Sequence, residues 1–151
     1  MLKGIDPLLT PELLKVLAEM GHGDEIVVAD ANFTASTLAQ GKPLIHLPGV
    51  GVERASEAVL SLLPLDDYVE QPVAYMQVGE QAHGWQSALQ RRVIDKLWRG
   101  GWAKPAQCAP MERFSFYERT KKAYAIVLTG ELQPYANFLF KKGVIGEPLA
   151  A

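Results

Sequence analysis

The chain has 151 residues, 48% of them hydrophobic and 21% charged, which suits one globular domain with its own core and argues against disorder. Its net charge is −2 and its Lys and Arg residues are scattered, so the basic stripe of a nucleic-acid binder is absent. The single cysteine, Cys108, excludes an intrachain disulfide and a Cys-based metal site. Lys121-Lys122 and Lys141-Lys142 are basic clusters and read as solvated faces. Residues 1–7 carry no apolar signal segment, and no apolar run reaches the roughly 20 residues that span a bilayer. The expected partners therefore include neither nucleic acid nor membrane, and the expected compartment is the cytoplasm.

In chain order, Thr10-Pro11-Glu12 predicts a helix start, with Thr10 as N-cap, Pro11 in the first turn and Glu12 complementing the helix dipole. Leu13, Leu14, Val16, Leu17 and Met20 continue it at helical spacing, and Gly21 is read as its left-handed stop. His22-Gly23-Asp24 then forms a tight connection to a short buried strand over 25–30. A second strand is expected over 43–47 and a helix over 52–63, stopped by Pro64 and followed by a loop through Tyr68. The next strand is expected over 73–78 and a helix over 84–98, with Leu89, Val93, Ile94 and Leu97 on one side. A short helix over 113–122, a strand over 123–128, a turn over 130–134 and an extended or mixed element over 135–142 complete the chain. Strands alternating with helices predict a single-domain α/β sandwich, a mixed sheet with flanking helices. No linker, repeat or low-complexity segment divides it.

The most unusual piece is Met20-Gly21-His22-Gly23-Asp24-Glu25. Two flanking glycines leave the His22 imidazole open to a ligand, and the corner joins a helix to a strand, where α/β proteins often place ligands. An exposed loop histidine is the competing reading. A metal site from His22, Asp24 and Glu25 lacks the usual ligand spacing, and His46 and His83 do not supply it. Gly49-Val50-Gly51 is no phosphate loop, no serine nucleophile elbow is present, and Cys108 has no activating neighbours. Asp30 ends a buried strand, either facing solvent or lining a pocket. Asp66-Asp67 reads as a polar turn. Arg113 and Tyr117 share a helix face. Tyr135 and Asn137 alternate on an extended segment, which aims them the same way. Such an aromatic–amide pair serves the C–H face and the hydroxyls of a sugar, and is also ordinary edge-strand composition.

Together these segments resemble the L-fucose mutarotase and D-ribose pyranase family, most closely its fucose branch. The carrying stretches are Leu8 to Leu14, Met20-Gly21-His22-Gly23-Asp24-Glu25-Ile26, Asp30-Ala31-Asn32-Phe33, Leu63-Pro64-Leu65-Asp66-Asp67-Tyr68-Val69, Glu112 to Arg119, and Thr129-Gly130-Glu131 through Tyr135-Ala136-Asn137 to Lys141-Lys142-Gly143. They run in family order and are spread from near one end of the chain to the other. The resemblance implies a cofactor-independent, metal-free isomerase that interconverts the anomers of a monosaccharide, L-fucose or a close relative. It also implies a homo-oligomeric ring, a decamer of two pentamers, with active sites near subunit interfaces. By position, His22, Asp66 and Tyr117 match catalytic residues, and Asp30, Met76, Arg113, Tyr135 and Asn137 match sugar-binding ones. Thr34 stands where the fucose branch usually has Pro, and His46-Leu47-Pro48-Gly49-Val50-Gly51 is more similar to the ribose branch.

Mutarotation needs an acid and a base that exchange roles near neutral pH, which a histidine of ordinary pKa about 6.5 can do. The expectation is that His22 serves the ring oxygen or the anomeric hydroxyl with Asp66 or Tyr117 as counterpart. Asp30 would bind hydroxyls or hold the imidazole, and Arg113, Tyr135 and Asn137 would fix the ring. The alternatives are a ribose-type pyranase, which interconverts pyranose and furanose forms, a sugar-binding accessory without catalysis, and, remotely, a purely structural assembly protein.

Overall fold

Thr10 starts the first helix as its side chain predicts: its Oγ1 accepts the Leu13 amide at 3.2 Å. The computed structural model describes residues 1–151. The chain runs α1 (Pro11–Glu19), β1 (Glu25–Ala29), α2 (Ala35–Ala39), β2 (Leu44–Leu47), α3 (Val52–Leu60), β3 (Val73–Met76), α4 (Ala88–Arg99), a 3-10 turn (Pro105–Gln107), β4 (Cys108–Met111), α5 (Arg113–Lys122), β5 (Ala125–Thr129) and β6 (Phe138–Lys141). The six strands form one sheet in the order β2-β5-β1-β6-β3-β4. β6 is antiparallel to both its neighbours, β1 and β3; the other pairs are parallel. The expected mixed sheet with flanking helices is thus present.

Helices cover both faces, so the strands read as continuous apolar runs rather than alternating ones. Their side chains still alternate in space. Ile26, Val28, Ala125, Val127, Phe138, Phe140, Val73 and Tyr75 point into the larger core, packed by α1, α3 and α4. Val27, Ala29, Ile126, Leu139, Ala74 and Met76 point the other way, against Leu38 of α2 and Phe116 of α5.

The differences from the sequence reading have local causes. α1 ends at Met20 in an extended conformation, and the left-handed glycine is Gly23 (φ 87°), not Gly21. α4 begins at Ala88 rather than near Gly84, because Ser87 and Gln90 form a capping box. β4 and the five-residue α2 were not expected. β4 contains Pro110, which demotes a strand signal, and it is tolerated because β4 lies at the sheet edge. Tyr135 is not extended: its φ of 60° is left-handed, and β6 starts only at Phe138.

Candidate active site

β6 enters the sheet between β1 and β3 and runs against both, so its first residues lie beside their carboxyl ends. From β1 the chain turns to β2 on one side and later to β3 on the other. This is a switch point of the kind where α/β sheets bind ligands. A cavity of about 220 Å³ opens there, lined by Asp30, Asn32, Phe33, Met76, Arg113, Tyr117, Pro134, Tyr135 and Asn137. It is smaller than the roughly 300–1,000 Å³ of drug-sized sites and suits a ligand of one sugar ring.

Each wall is held by the fold. Asn137, 2% exposed, accepts the Asp30 amide on Oδ1 at 2.8 Å and turns its Nδ2 toward Met76 Sδ at 3.7 Å. The Asp30 carboxylate accepts the Asn32 amide at 3.0 Å. Burial is the dominant influence on that carboxyl and raises its pKa above the ordinary value of 3.8, against the pull of the Asn32 amide and Asn137. Asp30 therefore lines a pocket, one of its two expected alternatives. Arg113 Nε donates to Tyr117 Oη at 2.8 Å, so the helix-face expectation for that pair holds. The hydrogen bond to Tyr117 raises the Arg113 pKa, keeping the guanidinium charged. Phe33 stacks edge-on to Tyr117, with ring centroids 5.6 Å apart.

Six of the eight expected site residues thus meet in one cavity: Asp30, Met76, Arg113, Tyr117, Tyr135 and Asn137. Tyr135 and Asn137 meet through a left-handed Tyr135, not through strand alternation. Asn32, Phe33 and Pro134 were missed. The position of Asn32 and Phe33 just after the strand that presents Asp30 was the available signal; Pro134 had none.

His22 and Asp66 lie elsewhere. His22 precedes β1, whereas Asp30 follows it, so the length of the strand, about 17 Å, separates them. The switch-point rule thus applies to the Asp30 end and not to the His22 corner. His22 Nε2 is 3.1 Å from Asp66 Oδ1, and the ring edges onto Tyr68 with centroids 5.1 Å apart. Asp66 is no solvated turn residue: it is 4% exposed, and its Oδ1 also accepts the Tyr68 amide at 3.1 Å. Burial works to raise the Asp66 carboxyl, but the Tyr68 amide, the His22 hydrogen bond and the charges of His22 and Lys141 together hold it below 3.8. An ionised carboxylate only accepts, so His22 Nε2 carries the proton and Nδ1 is the free nitrogen. Within the chain it is Asp66, not Asp30, that orients the imidazole. Tyr68 was not singled out as a site residue. Asp24 accepts the Gly21 amide at 2.7 Å and Glu25 pairs with Arg119, so neither joins His22 in a common ligand set.

The family model described as the RbsD / FucU transport protein family matches residues 3–145. The chain belongs to this family. Human fucose mutarotase is 48% identical over 147 residues, covering 95% of this chain and 94% of the human protein. The structure of the fucose mutarotase of Streptococcus pneumoniae in complex with L-fucose superposes with a TM-score of 0.86 at 41% identity, over 96% of this chain and 100% of that one. Bacillus subtilis RbsD in complex with D-ribose superposes with a TM-score of 0.72 at 25% identity, over 97% and 100%. Both branches of the family therefore share the fold, and the chain is more similar to the fucose branch despite its ribose-like 46–51 stretch.

Proposed function

We infer that the protein is a monosaccharide mutarotase acting on L-fucose or a closely related sugar. The similarity to fucose mutarotases over nearly the whole chain carries this reading. The carboxylate–guanidinium–phenol–amide cavity supports it from the chemistry.

Ring opening breaks the bond between the anomeric carbon and the ring oxygen. The anomeric hydroxyl gives up its proton as the ring oxygen gains one. Rotation about the bond from the aldehyde carbon to its neighbour and reversal of both transfers yield the other anomer. His22 Nδ1 is the accepting and donating atom in this scheme, with Asp66 keeping the other nitrogen protonated. Tyr117, tied to Arg113, is its counterpart across the ring. Asp30, Asn137 and Tyr135 take the remaining hydroxyls, and Met76 closes the floor. Positioned acid–base catalysis supplies roughly 10²–10⁴-fold, enough for a reaction that proceeds slowly in water unaided.

Because the His22–Asp66 corner and the cavity stand at opposite ends of β1, the working site in this reading is composite, completed by a neighbouring copy within a ring-shaped homo-oligomer. Exposed aromatic surface at both halves supports it: Tyr68 beside His22 is 75% exposed and Phe114 beside Arg113 is 64% exposed.

The test is saturation-transfer NMR between the anomers of L-fucose, with D-ribose and D-galactose alongside. The wild type accelerates fucose anomer exchange, and His22→Ala loses most of that acceleration, about 10²-fold or more, while keeping its fold and assembly. Unchanged exchange in His22→Ala moves the proton transfer to another residue. Binding without acceleration in the wild type makes the protein a sugar-binding accessory instead.

A further inference from the structure

Gln90 stands on α4, outside the cavity, and none of the mechanism above uses it. It is fully buried, 0% exposed. Its Oε1 accepts the Ser87 amide at 3.0 Å and completes the helix cap. The cap does not require its other end, yet Nε2 is fully engaged: it donates to the Met76 carbonyl at 2.8 Å and to the Tyr135 carbonyl at 3.0 Å. Both acceptors belong to cavity residues. One of them, Tyr135, sits at φ 60°, a conformation that a residue with a side chain adopts only when its surroundings enforce it. The other end of Tyr135 depends on a glycine. A Cβ on Gly79 would lie 2.8 Å from Tyr135 Oη, so the phenol rests in the space that a missing side chain provides. Gly79 itself has no left-handed backbone.

We propose that Gln90 is a positioning residue of the sugar cavity, fixing Tyr135 and Met76 from behind through Nε2, while Gly79, by lacking a side chain, leaves the Tyr135 hydroxyl its place in front. The proposal rests on the reading of that cavity as the carbohydrate site. A buried amide is suited to the task because its two hydrogens lie in one plane and bridge two carbonyls of different segments. Leaving those carbonyls unpaired costs the geometry they hold. The register of Met76 is shared with Asn137, whose carbonyl accepts the Met76 amide at 3.0 Å. Gln90 therefore stabilises three walls of the cavity by way of two hydrogen bonds.

Three substitutions separate this role from a helix-capping one. Gln90→Glu keeps the oxygen that accepts Ser87 and removes the double donor. Its KM for L-fucose is expected to rise about tenfold, with kcat changed far less. Ser87→Ala damages the cap alone: its melting temperature falls and its KM stays at the wild-type value. Gly79→Ala, which needs no unusual backbone, raises KM as Tyr135→Phe does, and adding Gly79→Ala to Tyr135→Phe raises it no further. This cycle tests the Gly79 half; where Gln90→Glu fails to fold, Gln90→Met, uncharged and without the two donors, is expected to show the same rise in KM, and a wild-type KM there overturns the Gln90 half. A wild-type KM in folded Gln90→Glu, an equal KM rise in Ser87→Ala, or additive effects of Gly79→Ala and Tyr135→Phe overturn the proposal. A wild type that neither binds nor exchanges any sugar of the panel overturns the cavity reading itself.

Discussion

In the proposed sugar site, Asp30 trades stability for binding. Its carboxyl is buried at the end of β1, and burial raises its pKa in the folded chain above 3.8. The folded state then holds its proton more tightly than the unfolded state. The favourable contribution is present at low pH and is lost as pH rises through the folded pKa, so at neutral pH the ionised group destabilises the fold. Asp30→Asn keeps an acceptor for the Asn32 amide and removes the charge. The variant is expected to melt higher than the wild type near pH 7, with the gap closing as pH falls toward 3.8, and to bind L-fucose far more weakly. Melting curves across pH and sugar titrations measure both halves; a lower melting temperature near neutrality refutes the account. From the sequence, Asp30 was legible as a strand-end carboxylate, but nothing local said whether its side chain met water or a pocket. Asp66, locally a polar-turn residue, was open for the same reason, because the pairing of its loop with Lys141 of β6 comes from 75 positions further on.

At the scale of elements, the His22 corner is held by a residue from the far end of the chain. α1 stops without a left-handed cap, and its last carbonyls are taken instead by Lys142 Nζ, which reaches the Leu17 and Met20 oxygens. A cation is favoured at that end of a helix by the macrodipole. The same stretch of backbone binds the corner on either side: the Lys142 carbonyl accepts the Gly23 amide at 2.8 Å, and the Lys141 carbonyl accepts the Asp66 amide at 2.9 Å. Gly143 lets the loop bearing Asp66 approach this closely, since any side chain there would overlap the Leu65 carbonyl. Lys142→Met keeps the aliphatic stem and removes the three donors. It is expected to lower stability by about 1–3 kcal/mol and to slow anomer exchange through a loosened His22–Asp66 pair. Chemical denaturation together with the NMR exchange assay tests it; full stability with full exchange refutes it. The sequence marked Lys141-Lys142 as a solvated cluster, because charge alone does not reveal that a helix end lies within reach.

At the scale of the molecule, the separation of the His22 corner from the cavity is the dominant fact. Leu62 and Ile145, 38% and 85% exposed, border an apolar groove of about 590 Å³ that Lys142 also lines, on the side of the His22 corner. A composite site predicts complementation. His22→Ala and Arg113→Ala are each expected to be inactive alone. Equal co-expression should restore about a quarter of wild-type exchange, since each site draws its two halves independently from the two pools. Activity no higher than that of the separate variants places both halves of the site in one chain and refutes the composite arrangement.

Local physics determined much of this protein. Helical and strand periodicity, the Thr10 cap and the apolar strand runs were readable because they depend on neighbours a few residues away, and they sufficed for the α/β class and most element positions. The family's ordered segments pointed to the same chemistry. What only the tertiary structure decided is which distant residues meet. Strand order placed Asp30, Met76 and Asn137 side by side, and the run of β1 left His22 at the opposite end of that strand. The left-handed turn at Tyr135 and the burial of Gln90 and Asp66 likewise follow from contacts between segments tens of residues apart. Such contacts leave no periodic trace in the sequence, because they are selected by packing and hydrogen-bond satisfaction of the whole fold.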